Sequence, residues 1–168
     1  MDENFVLEDF TQNKENLWSG FNVYVLNKDY FIFNKPVLHT DYISYKLVIC
    51  LNKNKILPEY IFQINNYLKL LNSNIWENKL INYFCSFYNE ETCVSKDDYI
   101  NINKMIDDKW FENLEVWSAR ITIDKNEKIS SNFVCKEDYG LHYDVLRFNV
   151  NENDLFGMEY EYMGDAYS

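Results

Sequence analysis

The chain holds two histidines, His39 and His142, and any acid–base chemistry on imidazole starts there. His142 stands two residues before Asp144, a spacing that puts both side chains on one face of a strand. Such a pair supplies a general base and the carboxylate that orients it. The same pair also describes a half-buried histidine beside an acid, and a hydrolase needs a nucleophile or metal cluster as well. His39 follows Pro36-Val37-Leu38 and reads as a loop residue without chemistry. Asp97-Asp98 and Asp107-Asp108 invite a divalent cation, but they lack the spacing and turn glycine of a calcium loop. They read as loop or helix N-terminal carboxylates. The four glycines, Gly20, Gly140, Gly157 and Gly164, are too scattered for a phosphate-binding loop. The expectation is no enzyme: no catalytic residue, no cofactor and no metal, with a small enzyme using His142 and Asp144 as the weakest alternative.

Cys50, Cys85, Cys93 and Cys135 contain no C-x-x-C pair, and most have apolar neighbours. They read as reduced, structural thiols of a reducing compartment. The N-terminus Met1-Asp2-Glu3-Asn4 has no basic, apolar leader. Apolar runs reach only four or five residues, far short of a membrane span. A cytoplasmic location is therefore expected.

Charge is the more informative feature. The 168 residues carry a net −11, from 16 Lys+Arg against 27 Asp+Glu. Residues 1–17 are net −4 and residues 148–168 net −5, which leaves −2 for the whole middle. This balance disfavours nucleic acid and anionic lipid as partners, since both attract Lys and Arg. It favours a basic protein partner. Glu152, Asp154, Glu159, Glu161 and Asp165 are the expected contact groups, with Tyr160 and Tyr162 as anchors. Charges speed encounter and buried aromatics hold the complex.

The elements that must position these groups are legible. Aromatics are 18% of the chain, so there is ample material for a core. Residues 1–17 read as an acidic arm or short strand, partly ordered. Phe21, Val23 and Val25 alternate with their neighbours, as in a strand. Tyr30–Phe33 reads as its return strand, and Tyr42–Leu51 as a third. Pro58 suits the first turn of a helix with Tyr60, Ile61, Ile64, Tyr67, Leu68 and Leu71 on one face. Asn74, with Glu77 three residues on, starts a second helix striped by Trp76, Leu80, Tyr83, Phe84 and Phe87. A short helix is expected over Asp107–Leu114. Trp117–Ile123, Ile129–Cys135, Leu141–Val150 and Phe156–Tyr162 then read as strands, with a bulge or two-sided burial near Val145-Leu146. The expected fold is a single α+β domain over residues 1–168. It has an antiparallel strand meander, two central amphipathic helices and a C-terminal antiparallel meander.

Tyr45-Lys46-Leu47-Val48-Ile49-Cys50-Leu51, Ile56-Leu57-Pro58-Glu59, Asn66-Tyr67-Leu68, Asn82-Tyr83-Phe84 and Phe133-Val134-Cys135-Lys136-Glu137-Asp138-Tyr139-Gly140-Leu141 together resemble an uncharacterised family of small acidic bacterial proteins. That family has Trp after the cysteine and His before the glycine, where this chain has Lys136 and Tyr139. The family is similar to the immunity proteins encoded beside polymorphic toxins, as in contact-dependent growth inhibition. The resemblance implies an antitoxin that blocks a cognate toxin, expected to be a basic nuclease. It assigns no catalytic residue. The alternative is a phage or mobile-element inhibitor that mimics nucleic acid.

Overall fold

The computed structural model describes residues 4–13, 20–26, 28–38, 47–52, 56, 58–92, 95–98, 108–137 and 144–162. The strands are β1 (Phe10–Asn13), β2 (Phe21–Leu26), β3 (Phe31–Ile32), β4 (Lys35–Pro36) and β5 (Leu47–Asn52) before the helices. The helices are α1 (Pro58–Leu71), α2 (Ile75–Thr92) and α3 (Asp108–Asn113). After them come β6 (Glu115–Ile123), β7 (Ile129–Glu137), β8 (Asp144–Val150) and β9 (Leu155–Tyr162). The fold is α+β, with α1 and α2 between two strand groups, as the sequence pattern predicts.

The two meanders join into one seven-stranded sheet, ordered β1-β2-β5-β6-β7-β8-β9. Every neighbouring pair is antiparallel except β5 and β6, which run parallel from Leu47 opposite Ala119 to Leu51 opposite Ile123. A parallel pair cannot be closed by a tight turn, and the connection must cross over the sheet. That crossover is the helical segment, so one topological requirement explains why the helices lie mid-chain.

α1 buries the six residues that its spacing selects: Tyr60, Ile61, Ile64, Tyr67, Leu68 and Leu71. Glu59, Phe62, Asn66 and Lys69 face outward. Full burial of each large apolar side chain contributes roughly 1.5–3 kcal/mol. α2 buries Trp76, Leu80, Ile81, Phe84 and Cys85. These side chains share one core with Tyr24, Ile49, Ile121, Phe133, Leu146 and Phe148 of the sheet. The opposite sheet face holds a smaller cluster of Val23 and Cys50, with Phe21 and Val25 against it. By strand alternation that face also carries the chain's two arginines, Arg120 and Arg147.

One element differs from the sequence pattern. Tyr30–Phe33 does not return along β2. Only Phe31–Ile32 is extended, and it pairs with Lys35–Pro36 as a separate hairpin. Phe33 and Asn34 form its turn at φ of 54° and 60°. Two left-handed residues are what a two-residue hairpin turn requires. Phe33 is buried between Trp76, Phe133 and Phe148, and this packing holds an aromatic residue in that backbone region. The hairpin docks beside β6, where the Leu38 N–H donates to the Val116 carbonyl at 2.8 Å. In β8, of the bulge or two-sided burial expected near Val145-Leu146, the structure has the second. Val145 and Leu146 are both fully buried, so burial is two-sided there. The bulge sits on β9, where Gly157 and Met158 oppose Phe148 alone. Gly157 takes φ +64°, the left-handed residue that opens such a bulge.

The acidic arm is ordered over residues 4–13. Phe5 and Phe10 are core residues, and Leu7–Asp9 forms one 3₁₀ turn before β1.

Candidate functional site: an acidic turn and strand edge

β9 is one edge of the sheet and β1 the other. The described parts of the two acidic ends, residues 4–13 and 148–162, therefore lie at opposite edges. Six strand spacings separate them, on the order of 29 Å. They do not build one continuous acidic strip within the sheet.

At the C-terminal edge, the β8–β9 turn is tightly organised. Asn151 Oδ1 accepts hydrogen bonds from the N–H groups of Asn153 and Asp154, both at 2.8 Å. The Asn151 N–H donates to the Asp154 carbonyl at 3.0 Å. Lys79 of α2 donates to the Asn153 carbonyl at 2.9 Å, and its ammonium lies 4.9 Å from the Trp76 ring centroid. A helix thus pins the turn from beneath. Glu152 and Asp154 are left exposed on its outside.

Glu159 is also exposed and stands directly opposite Arg147 in the β8–β9 register. Opposite charges at facing positions favour strand pairing. Tyr160 is opposite Leu146, Glu161 opposite Val145, and Tyr162 opposite Asp144. The side chains of Tyr160, Glu161, Tyr162 and Asp144 lie outside the described residues, as do all of His39, His142, Cys93 and Asp165. The structure thus brings Glu152, Asp154 and Glu159 to one end and edge of the sheet. For His142 with Asp144 it supplies only the backbone position of Asp144.

Asp97 lies exposed in a single 3₁₀ turn, Lys96–Asp98, and Asp108 opens α3. Among the described residues no group of three or more His, Cys, Asp or Glu side chains could hold a metal ion. No helix among them is long and apolar enough to cross a membrane. Cys50, Cys85 and Cys135 are free and buried. Burial pushes the Cys50 thiol up to about 11 and the Cys135 thiol higher still.

Sequence reasoning missed the residues that hold the turn, Asn151 and Lys79, and a cleft on the helix side near them. Asn151 has a local signal, since Asn-x-Asn-Asp after a strand is turn chemistry. Lys79 has none, because its partner is 74 residues away.

No family model matches the chain, and no solved structure matches it. The putative protein TIC 214 C-terminal part of Marchantia polymorpha is 28% identical over 166 residues, covering 91% of this chain and 36% of that protein. The chain therefore spans about a third of the relative's length.

Proposed function

We propose that this chain is an immunity protein that binds a basic toxin domain, a nuclease by the chemistry of charge, and blocks its active site. The carrying observation is the acidic β8–β9 turn, held rigid from within by Asn151 and from below by Lys79. A preorganised turn loses little entropy when a partner docks. Its outward groups, Glu152 and Asp154, are joined along the same edge by Glu159. The net charge of −11 supports steering toward a cationic surface. Tyr160, Glu161, Tyr162 and Asp165 extend the proposed interface. The proposal carries a cytoplasmic location, which the free buried thiols support.

Co-expression with the toxin domain encoded beside its gene tests the reading. Growth is restored by the native chain. Charge reversal at Glu152 and Asp154 slows association with the purified toxin domain roughly tenfold at low salt, with less effect at high salt. A chain that protects cells from no neighbouring toxin is not an immunity protein.

A further inference from the structure

A cleft of about 240 Å³ opens between the β3–β4 turn, the start of α2, and α3. Lys35, Asn74, Trp76, Glu77, Phe111 and Glu112 are among the residues around it. No residue of the proposed toxin interface lines it. Its size is below that of a typical cofactor pocket, which excludes a nucleotide and suits a molecule the size of an amino acid.

The charges around this cleft are unusual. The Lys35 ammonium donates to the Glu112 backbone carbonyl at 3.1 Å and lies 4.6 Å from the Phe111 ring centroid. An ammonium has three donors, and this one is partly withdrawn from water. Burial pushes its pKa below the ordinary value of 10.5, against the opposing pull of Cys135, Glu112 and Glu77. Yet no ion pair is seen between the Lys35 ammonium and the carboxylate of Glu77 or Glu112. Lys35, Glu77 and Glu112 border the same space without closing on each other. A lone anion would meet two carboxylates there, and a lone cation would meet Lys35. A ligand with both signs satisfies both sides, and its apolar part has Phe111, which keeps a small exposed area, to lie against.

The cleft's wall is also fixed in advance. Asn72 Oδ1 accepts from the Asn34 N–H at 2.9 Å, and Asn72 Nδ2 donates to the Phe31 carbonyl at 3.0 Å. This clamp holds the left-handed turn that carries Lys35. Rigid placement of a charged group lowers the entropic cost of binding.

We infer that this cleft binds a small zwitterion, a free α-amino acid with an apolar or aromatic side chain. Its carboxylate meets Lys35, its ammonium faces Glu77 and Glu112, and its side chain lies against Phe111.

Titration calorimetry of the full chain with L-phenylalanine and L-leucine tests this. Each is compared with its amide, which lacks the carboxylate, and its N-acetyl form, which lacks the cation. At least one free amino acid binds, and both of its derivatives bind tenfold or more weakly. Lys35→Gln weakens binding by a similar factor, because a charge-assisted contact is lost. Should Lys35→Gln fail to fold, Glu77→Gln and Glu112→Gln together serve as the second variant, with the same expected loss. The inference is overturned if neither amino acid binds at millimolar concentration. Equal binding of free and blocked forms, or unchanged binding in a folded variant, also overturns it.

Discussion

Phe5 and Asn65 hold each other through two hydrogen bonds. Asn65 Oδ1 accepts from the Phe5 N–H and Asn65 Nδ2 donates to the Phe5 carbonyl, both at 2.9 Å. One side-chain amide on α1 thus completes the backbone bonding of a residue 60 positions earlier. The Phe5 ring, so placed, meets Phe10 and Tyr30 edge-on at 6.0 and 6.4 Å. Asn65→Ala is expected to cost about 1–2 kcal/mol. Amide hydrogen exchange should accelerate over residues 4–13 far more than in β6 or β7. A uniform acceleration across the sheet would show that the clasp is not local.

Tyr67 is a second long-range tie. Its hydroxyl donates to the Val150 carbonyl at 2.9 Å and shares a 2.7 Å bond with Ser131 Oγ. All three groups are buried, so Tyr67→Phe leaves the Ser131 hydroxyl and the Val150 carbonyl with only the longer 3.4 Å side-chain bond between them. The expected loss is ~1–3 kcal/mol, read as a lower urea midpoint at unchanged slope. Ser131→Ala in the same background should add less than its own separate cost, since the two share one network.

Gly157 and Gly20 offer a matched comparison. Both have positive φ, +64° and +85°. A Cβ on Gly157 would stand 2.7 Å from Asn149 Nδ2, whereas one on Gly20 meets nothing within 4 Å. Gly20→Ala should cost only the backbone strain, about 1–2 kcal/mol. Gly157→Ala should cost more, because Asn149 must also move. Thermal unfolding of the two variants decides the order, and equal losses would mean that the Asn149 side chain yields freely.

Stability should fall at both ends of the pH scale. At the acid end, the Val6 N–H bonded to Asp9 lowers the carboxyl below its usual 3.8, with desolvation opposing and Lys28 assisting. A lowered carboxyl pKa gives stability that is present above the unfolded value and is lost as pH falls through the folded one. Asp9→Asn should flatten that part of the curve. At the alkaline end, burial raises Cys50 to about 11 and raises Cys135 further. Above about pH 9 the unfolded chain sheds these protons and the folded chain keeps them, so stability declines as pH rises. Cys50→Ser should reduce the alkaline slope. An unchanged slope would remove Cys50 from this role.

The β8–β9 turn should respond to Lys79. Lys79→Met keeps most of the stem that lies near Trp76 but removes the bond to Asn153. Exchange of the residue 152–154 amides should speed several-fold with little change in global stability. A large global loss would instead assign Lys79 to the core.

The sequence by itself determined the composition of the elements. Apolar residues at helical spacing identified α1 down to its six buried side chains. Alternation identified β2, β6, β7 and β9, because burial of one face is a local demand on each element. The same local logic located the acid at the chain ends and the expected order of strands, helices and strands. Turn chemistry was less visible: 23 asparagines read as a compositional bias. Asn65, Asn72 and Asn151 turn out to clasp the N-terminal segment, the β3–β4 turn and the acidic turn.

Only the tertiary structure decided which asparagine meets which backbone, since partners such as Phe5 and Asn65 are far apart in the chain. It also decided that β5 and β6 pair in parallel, fusing two meanders into one sheet. That pairing sends the described parts of the acidic ends to opposite edges, and it leaves Lys35, Glu77 and Glu112 around one cleft. Periodicity reports which face of an element is buried. It carries no information about which other element covers that face, and long-range hydrogen bonds and charge placement follow from the latter.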